Sequence, residues 1–174
     1  GIDSLALLRT NRLMYPEAHP MYIKKCFFVY GFDIGSNPAS YDEQKKAFEQ
    51  ALGTLSEVTD EAKATLIPVY TNIRHLNHDV SFWMYQFNGA ALAAVAHSFN
   101  RVVHTMSVAS SGGISALIPW GSHPLIDPNY SSTDLKIRHD GMTYSRLAKT
   151  KIVAEWETAL QNIRVCTYIW SAQK

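Results

Sequence analysis

Between Val80 and Met106, the apolar residues Val80, Trp83, Met84, Phe87, Ala91, Ala94, Val95, Phe99, Val102, Val103 and Met106 recur at three and four positions. That period lines side chains along one face of an α-helix. The middle of the run, Gly89 to Ala96, is almost entirely small and apolar, so neighbouring elements can approach it closely on more than one side. The spacing therefore predicts one long helix through the core, and a charge introduced at Ala94 is expected to destroy folding.

The flanking chain reads as elements packed on that helix. Ile2, Leu5, Leu8 and Leu13 predict a short N-terminal helix that Pro16 prevents from continuing. The run from Met21 to Phe32 is aromatic and β-branched and reads as a strand or buried segment. Ser40 and Glu43 have capping-box spacing before a helix that Gly53 would stop. Thr59 would cap another helix, with Ala62, Leu66, Val69, Tyr70, Ile73 and Leu76 as its stripe and Pro68 kinking or splitting it. After Met106 the chain turns rich in Gly, Pro and Ser yet keeps Ile114, Leu117, Ile118, Trp120, Leu125 and Ile126, so it should pack on its own core or on a second subunit. A final helix is expected from about Thr143 to Ile163, then a strand or tail over 164–170. The expected architecture is mainly α (an α-rich α+β fold): a single domain, residues 1–174, around one long central helix (about 80–106), with a few short strands and a long irregular segment (about 107–134).

Apolar residues at 47% and charged residues at 18% exclude a disordered or low-complexity chain. A net charge of +1 provides no global field to draw in nucleic acid or an anionic membrane. The run from Phe82 to Phe99 is interrupted by Gln86, Asn88, His97 and Ser98, so no membrane span is expected. Cys26 and Cys166 each sit in an apolar run and read as free buried thiols, which fits the cytoplasm or another reducing compartment.

Among the seven histidines, His75 and His78 share one helical face and Asp79 follows directly. With His97 or His104 from the central helix, these side chains would form a divalent-metal site, and the protein would be a metal-dependent hydrolase. The pairs His78-Asp79 and His139-Asp140 superficially resemble the doublet of the HD-domain phosphohydrolases, but that family's other ligands have no counterparts at suitable spacing. No family is assigned. Ser110-Ser111-Gly112-Gly113-Ile114-Ser115 completes neither a phosphate-loop nor a nucleophile-turn pattern and reads as a flexible loop.

Lys136, Arg138, Arg146 and Lys149 form a weak basic group beside Tyr130 and Tyr144, suited to phosphate contacts and base stacking. Trp120, Leu125, Ile126, Tyr168 and Trp170 are of the apolar type found at interface cores. The leading expectation is a structural subunit, without cofactor or catalytic residues, that self-associates into a homo-oligomer, filament or coat. The metal-dependent hydrolase is the alternative.

Overall fold

The N-terminal amphipathic run folds as α1 (Ile2–Met14), burying Leu5, Ala6 and Leu8. The aromatic run that follows forms β1 (Lys25–Tyr30). This computed structural model describes residues 1–36 and 40–164. From β1 the chain passes through α2 (Tyr41–Glu61) and returns in β2 (Thr65–Tyr70), which pairs with β1 in parallel from Lys25 opposite Thr65 to Tyr30 opposite Tyr70. A parallel pair requires such a crossover, and α2 covers it. The Phe48 ring, fully buried, stacks on Phe28 at 4.5 Å and meets Tyr30 and Tyr70 edge-on at 5.4 and 5.3 Å.

Two expected helix boundaries are displaced here. α2 runs through Gly53, where a Cβ would meet open space, and Thr59 lies in its last turns instead of capping a new helix. The chain to Leu76 is then a strand and a short 3-10 turn (Ile73–Leu76). Pro68 sits in β2 opposite Phe28. A two-stranded sheet has only edge strands, which accommodate a residue without an N–H.

The long central helix is not formed as one element. Its first turn is α3 (Val80–Phe82), capped by the Asp79 carboxylate accepting from the Ser81 N–H at 2.8 Å. A π-helical turn (Trp83–Phe87) follows, and then α4 (Asn88–His97). The helix ends at its C-cap Ser98, the chain continues through turns in which the Val102 and Val103 N–H groups both bond the Phe99 carbonyl at 2.9 Å, and it resumes as β3 (Thr105–Ala109). β3 pairs in parallel with β4 (Lys136–Asp140), Val108 lying opposite His139. The expected mainly-α domain is thus corrected to a mixed α/β fold carrying two small parallel sheets. Val102, Val103 and Met106 fit helical spacing, but a short apolar run fits a strand equally well.

The segment expected to be irregular over 107–134 begins inside β3 and contains 3-10 turns at Ile114–Ala116 and Asp127–Tyr130. The last expected helix is two, α5 (Arg146–Ala154) and α6 (Glu157–Gln161), because Trp156 between them takes an extended backbone and buries its ring. The continuation over 165–170 lies outside the described residues.

Three apolar clusters hold the elements together. Leu5, Leu8, Val58, Val153, Trp156 and Ala159 join α1, α2, α5 and α6. Ala93, Ala96, Val108, Leu135 and Ile137 join α4 to the β3–β4 pair, while Phe32, Trp83, Ala91 and Val95 join its other side to the end of β1. Ala94, by contrast, is exposed. The expectation that Ala94→Asp destroys folding is therefore replaced: that variant should melt cooperatively within roughly 0.5 kcal/mol of wild type, as surface substitutions do. Ala96→Asp, which places an unpaired charge at a fully buried position, should abolish the cooperative transition followed by circular dichroism.

Candidate functional site

In parallel α/β arrangements, ligands collect at the carboxyl ends of the strands, where the connecting loops diverge. A cleft of about 360 Å³ lies there. Phe32 and Asp33 enter it from the end of β1, Ala109 and Ser111 from the end of β3, and His139 from β4. Trp83, Met84, Asn88 and Leu92 form the helical wall, and Trp120 and Ser122 come from the connection between β3 and β4. Apolar surface dominates, as in small-molecule sites generally.

The polar centre of this wall is a buried histidine–aspartate pair. His139 Nδ1 lies 2.7 Å from Asp127 Oδ2, with side-chain exposures of 6% and 1%. The same carboxylate oxygen accepts from Ser122 Oγ at 2.7 Å, and Oδ1 accepts from the His123 N–H at 3.2 Å. Three donors thus converge on a carboxylate removed from water, as burial of such a group requires. With the carboxylate as acceptor, a neutral imidazole here carries its hydrogen on Nδ1 and presents Nε2 as its acceptor. Nε2 makes no hydrogen bond among the described residues, and the ring lines the cleft.

Backbone geometry sets this pair in place. Gly31 at the end of β1 has φ of +103°, which turns Phe32 and Asp33 into the cleft. Arg74, buried, donates to the Phe32 carbonyl at 2.6 Å and lies 4.7 Å over the Trp83 ring. Gly89 gives its N–H to the Gly121 carbonyl at 3.2 Å, and a Cβ there would come within 2.2 Å of that oxygen and 2.9 Å of Asp127 Oδ1. The π-helical turn just before it is of the kind often found beside functional sites.

Ser111 and its neighbours are held from behind. The Ser110 N–H bonds the Asp140 carbonyl at 2.8 Å, and Ser110 Oγ donates to the Gly112 carbonyl at 2.7 Å. Lys149, 2% exposed, donates from Nζ to the Ser110 carbonyl and lies 3.9 Å from Asp3 Oδ1. Ser111 itself is exposed, and its hydroxyl makes no hydrogen bond among the described residues.

The sequence candidates are distributed differently. His75 and His78 do come together, ring centroids 5.9 Å apart, but His75 Nε2 bonds the Gly35 carbonyl at 3.3 Å and Asp79 caps α3. His97 bonds the Tyr130 carbonyl at 2.7 Å and His104 faces the Asp134 carbonyl at 3.4 Å, each in its own environment. Among the described residues, no group of three or more His, Cys, Asp or Glu side chains is placed to hold a metal.

Of the basic group, Arg138 pairs with Asp140 at 3.0 Å, Arg146 with Asp3 at 2.7 Å, and Lys149 is buried, leaving Lys136 exposed without an ion pair among the described residues. Trp120 is in the cleft wall, its ring edge-on to Tyr85 at 5.2 Å, while Leu125 is 77% and Ile126 40% exposed. Tyr168 and Trp170 lie outside the described residues. Cys26 is a free thiol that burial pushes up to about 11, which makes it inert near neutrality.

Comparison with family models, with curated proteins and with solved structures gives no match for this chain. Among the described residues, no helix is long and apolar enough to cross a membrane.

Burial pushes the Lys149 ammonium below the ordinary lysine range. Its folded-state proton is therefore held less tightly than in the unfolded chain, and the resulting penalty is fully present at lower pH. It is relieved as pH rises from the folded value toward the unfolded one. Urea melts at pH 7 and pH 10 should show the wild type gaining stability relative to Lys149→Met at the higher pH; an unchanged difference would contradict this placement of the ammonium.

Proposed function

We propose that the chain is a hydrolase of the serine–histidine–aspartate type, acting on a neutral ester or related acyl compound with an apolar body. The observation that carries the reading is the buried Asp127–His139 pair in the wall of an apolar cleft. Ser111 lines the same cleft and its hydroxyl has no hydrogen-bond partner among the described residues, whereas Ser122 Oγ is committed to Asp127.

In this scheme His139 Nε2 takes the proton from Ser111 Oγ as that oxygen adds to the acyl carbon. Asp127 keeps the imidazole in its tautomer and balances the imidazolium. The proton then passes to the leaving alkoxide, giving an alcohol and an acyl-serine. Water repeats the sequence, releasing the acid and restoring Ser111. The Gly112 N–H follows the nucleophile in the chain, makes no hydrogen bond among the described residues, and is the donor assigned to the developing oxyanion. Trp83, Leu92 and Trp120 supply apolar surface for the acyl group.

The test combines a fluorophosphonate probe with a series of p-nitrophenyl esters. Modification at Ser111 is expected, with ester turnover lost in Ser111→Ala and reduced roughly 10³-fold in His139→Gln. A folded wild type that neither reacts with the probe nor turns over any ester overturns the reading, as does modification confined to another residue.

A second reading is favoured by a different observation. Ile114, Ile118, Leu125 and Ile126 are all exposed on the connection between β3 and β4, apolar area of the kind a self-associating subunit covers. Under it the chain is a homo-oligomer in a reducing compartment, a setting that the free, half-buried Cys26 suits. Light scattering should then give a multimer that Leu125→Asp reduces toward one chain; a wild-type monomer removes this reading.

A further inference from the structure

A second cleft, of about 430 Å³, lies between α1, the Tyr15–Tyr22 stretch, the end of α2 and Trp156. Three cations and two carboxylates line it: Arg9, Arg12 and Lys63 against Glu17 and Glu61. Four of these five have visible employment. Lys63 pairs with Glu17 at 3.0 Å. Arg12 donates to the Ala62 and Ile23 carbonyls and lies 3.6 Å over the Tyr22 ring. Glu61 accepts the Trp156 indole N–H at 2.9 Å.

Arg9 is the exception. Its Nε is buried with no hydrogen-bond partner, and its terminal nitrogens form neither a hydrogen bond nor an ion pair among the described residues. Nε itself has no surface open to the cleft, so the atoms a ligand there can reach are the terminal nitrogens, which carry the guanidinium charge without an acceptor among the described residues. Arg12 adds to the demand for negative charge, because carbonyl oxygens satisfy its donors without cancelling its charge. A planar guanidinium fork matches carboxylate and phosphate oxygens, and the half-buried Tyr15 ring in the cleft wall offers apolar surface, with the edge of the buried Trp156 ring closing the cleft.

We propose that this cleft binds a small organic anion, a carboxylate or phosphate monoester on an aromatic or apolar body, with Arg9 holding the anionic group. This site is separate from the Asp127–His139 cleft and does not depend on the hydrolase reading.

The whole chain is titrated with phenyl phosphate and with benzoate at constant ionic strength and neutral pH, followed by calorimetry. At least one probe should bind saturably at one per chain, at least tenfold more weakly in Arg9→Gln and with part of the affinity kept in Arg9→Lys. Preference for phenyl phosphate identifies a phosphate monoester as the ligand class, and preference for benzoate a carboxylate. Arginine Nε–H and tryptophan indole spectra of the wild type give the same answer should Arg9→Gln not fold: either probe should move one arginine Nε–H and one indole signal. Absence of saturable binding by both probes, equal binding by Arg9→Gln, or spectra that do not move would overturn the proposal.

Discussion

The close approach of Gly89 to Gly121 is the constraint on which the central cleft depends. It lets the start of α4 lie against the connection between β3 and β4, fastened by the Gly89 N–H to the Gly121 carbonyl and by the Gly121 N–H to the Met84 carbonyl at 2.9 Å. Without that contact the connection would have no wall to lie on. It carries Ser122, His123 and Asp127, whose carboxylate then meets His139 at the end of β4. One missing side chain on a helix therefore fixes where a buried acid can sit relative to a strand.

The same economy explains how a parallel pair is built with no long helix in its crossover. The β1–β2 pair uses α2 in the ordinary way, with Phe48 as the buried contact. The β3–β4 pair is covered by α4, which precedes both strands in the chain, and Ala93 and Ala96 let its backbone come close to Val108 and Ile137. The connection between β3 and β4 is consequently released from covering the strands. It lines the cleft with Ser111, Trp120 and Ser122 instead.

Legibility in the sequence followed the range of the interactions. The N-terminal helix and β1 were visible because their patterns are local, and so was the start of α2 near Ser40. Pro68 misled because a proline reads as a helix kink, and only the pairing of β2 beside β1 makes it an edge-strand residue. The run from Val80 to Met106 misled in a different way. Its apolar period is real through His97, but the helix end at Ser98 and the turns after it depend on where β3 must pair, which no local pattern records. The candidate site was harder still. His139 stands beside Asp140 in the sequence, yet strand alternation sends neighbours to opposite faces, and its partner, Asp127, sits twelve positions earlier in a 3-10 turn. The sequence carries little local signal for this strand, because Lys136–Asp140 holds only one aliphatic residue, Ile137, and its burial does not alternate.

α1 ties the two clefts to a common frame. From its first turn Asp3 pairs with Arg146 and stands beside Lys149, which holds the Ser110 carbonyl behind the central cleft. From its third turn Arg9 and Arg12 face the second cleft. Between them Leu5 and Leu8 lock the helix against Val58, Val153 and Trp156, so the helix moves only with the core. Such packing transmits position instead of absorbing it, because close-packed interiors have few intermediate arrangements. The two ends of α1 therefore set both clefts from one rigid element, and the apolar contacts in its middle do more for the geometry of each cleft than any single polar bond at its edge.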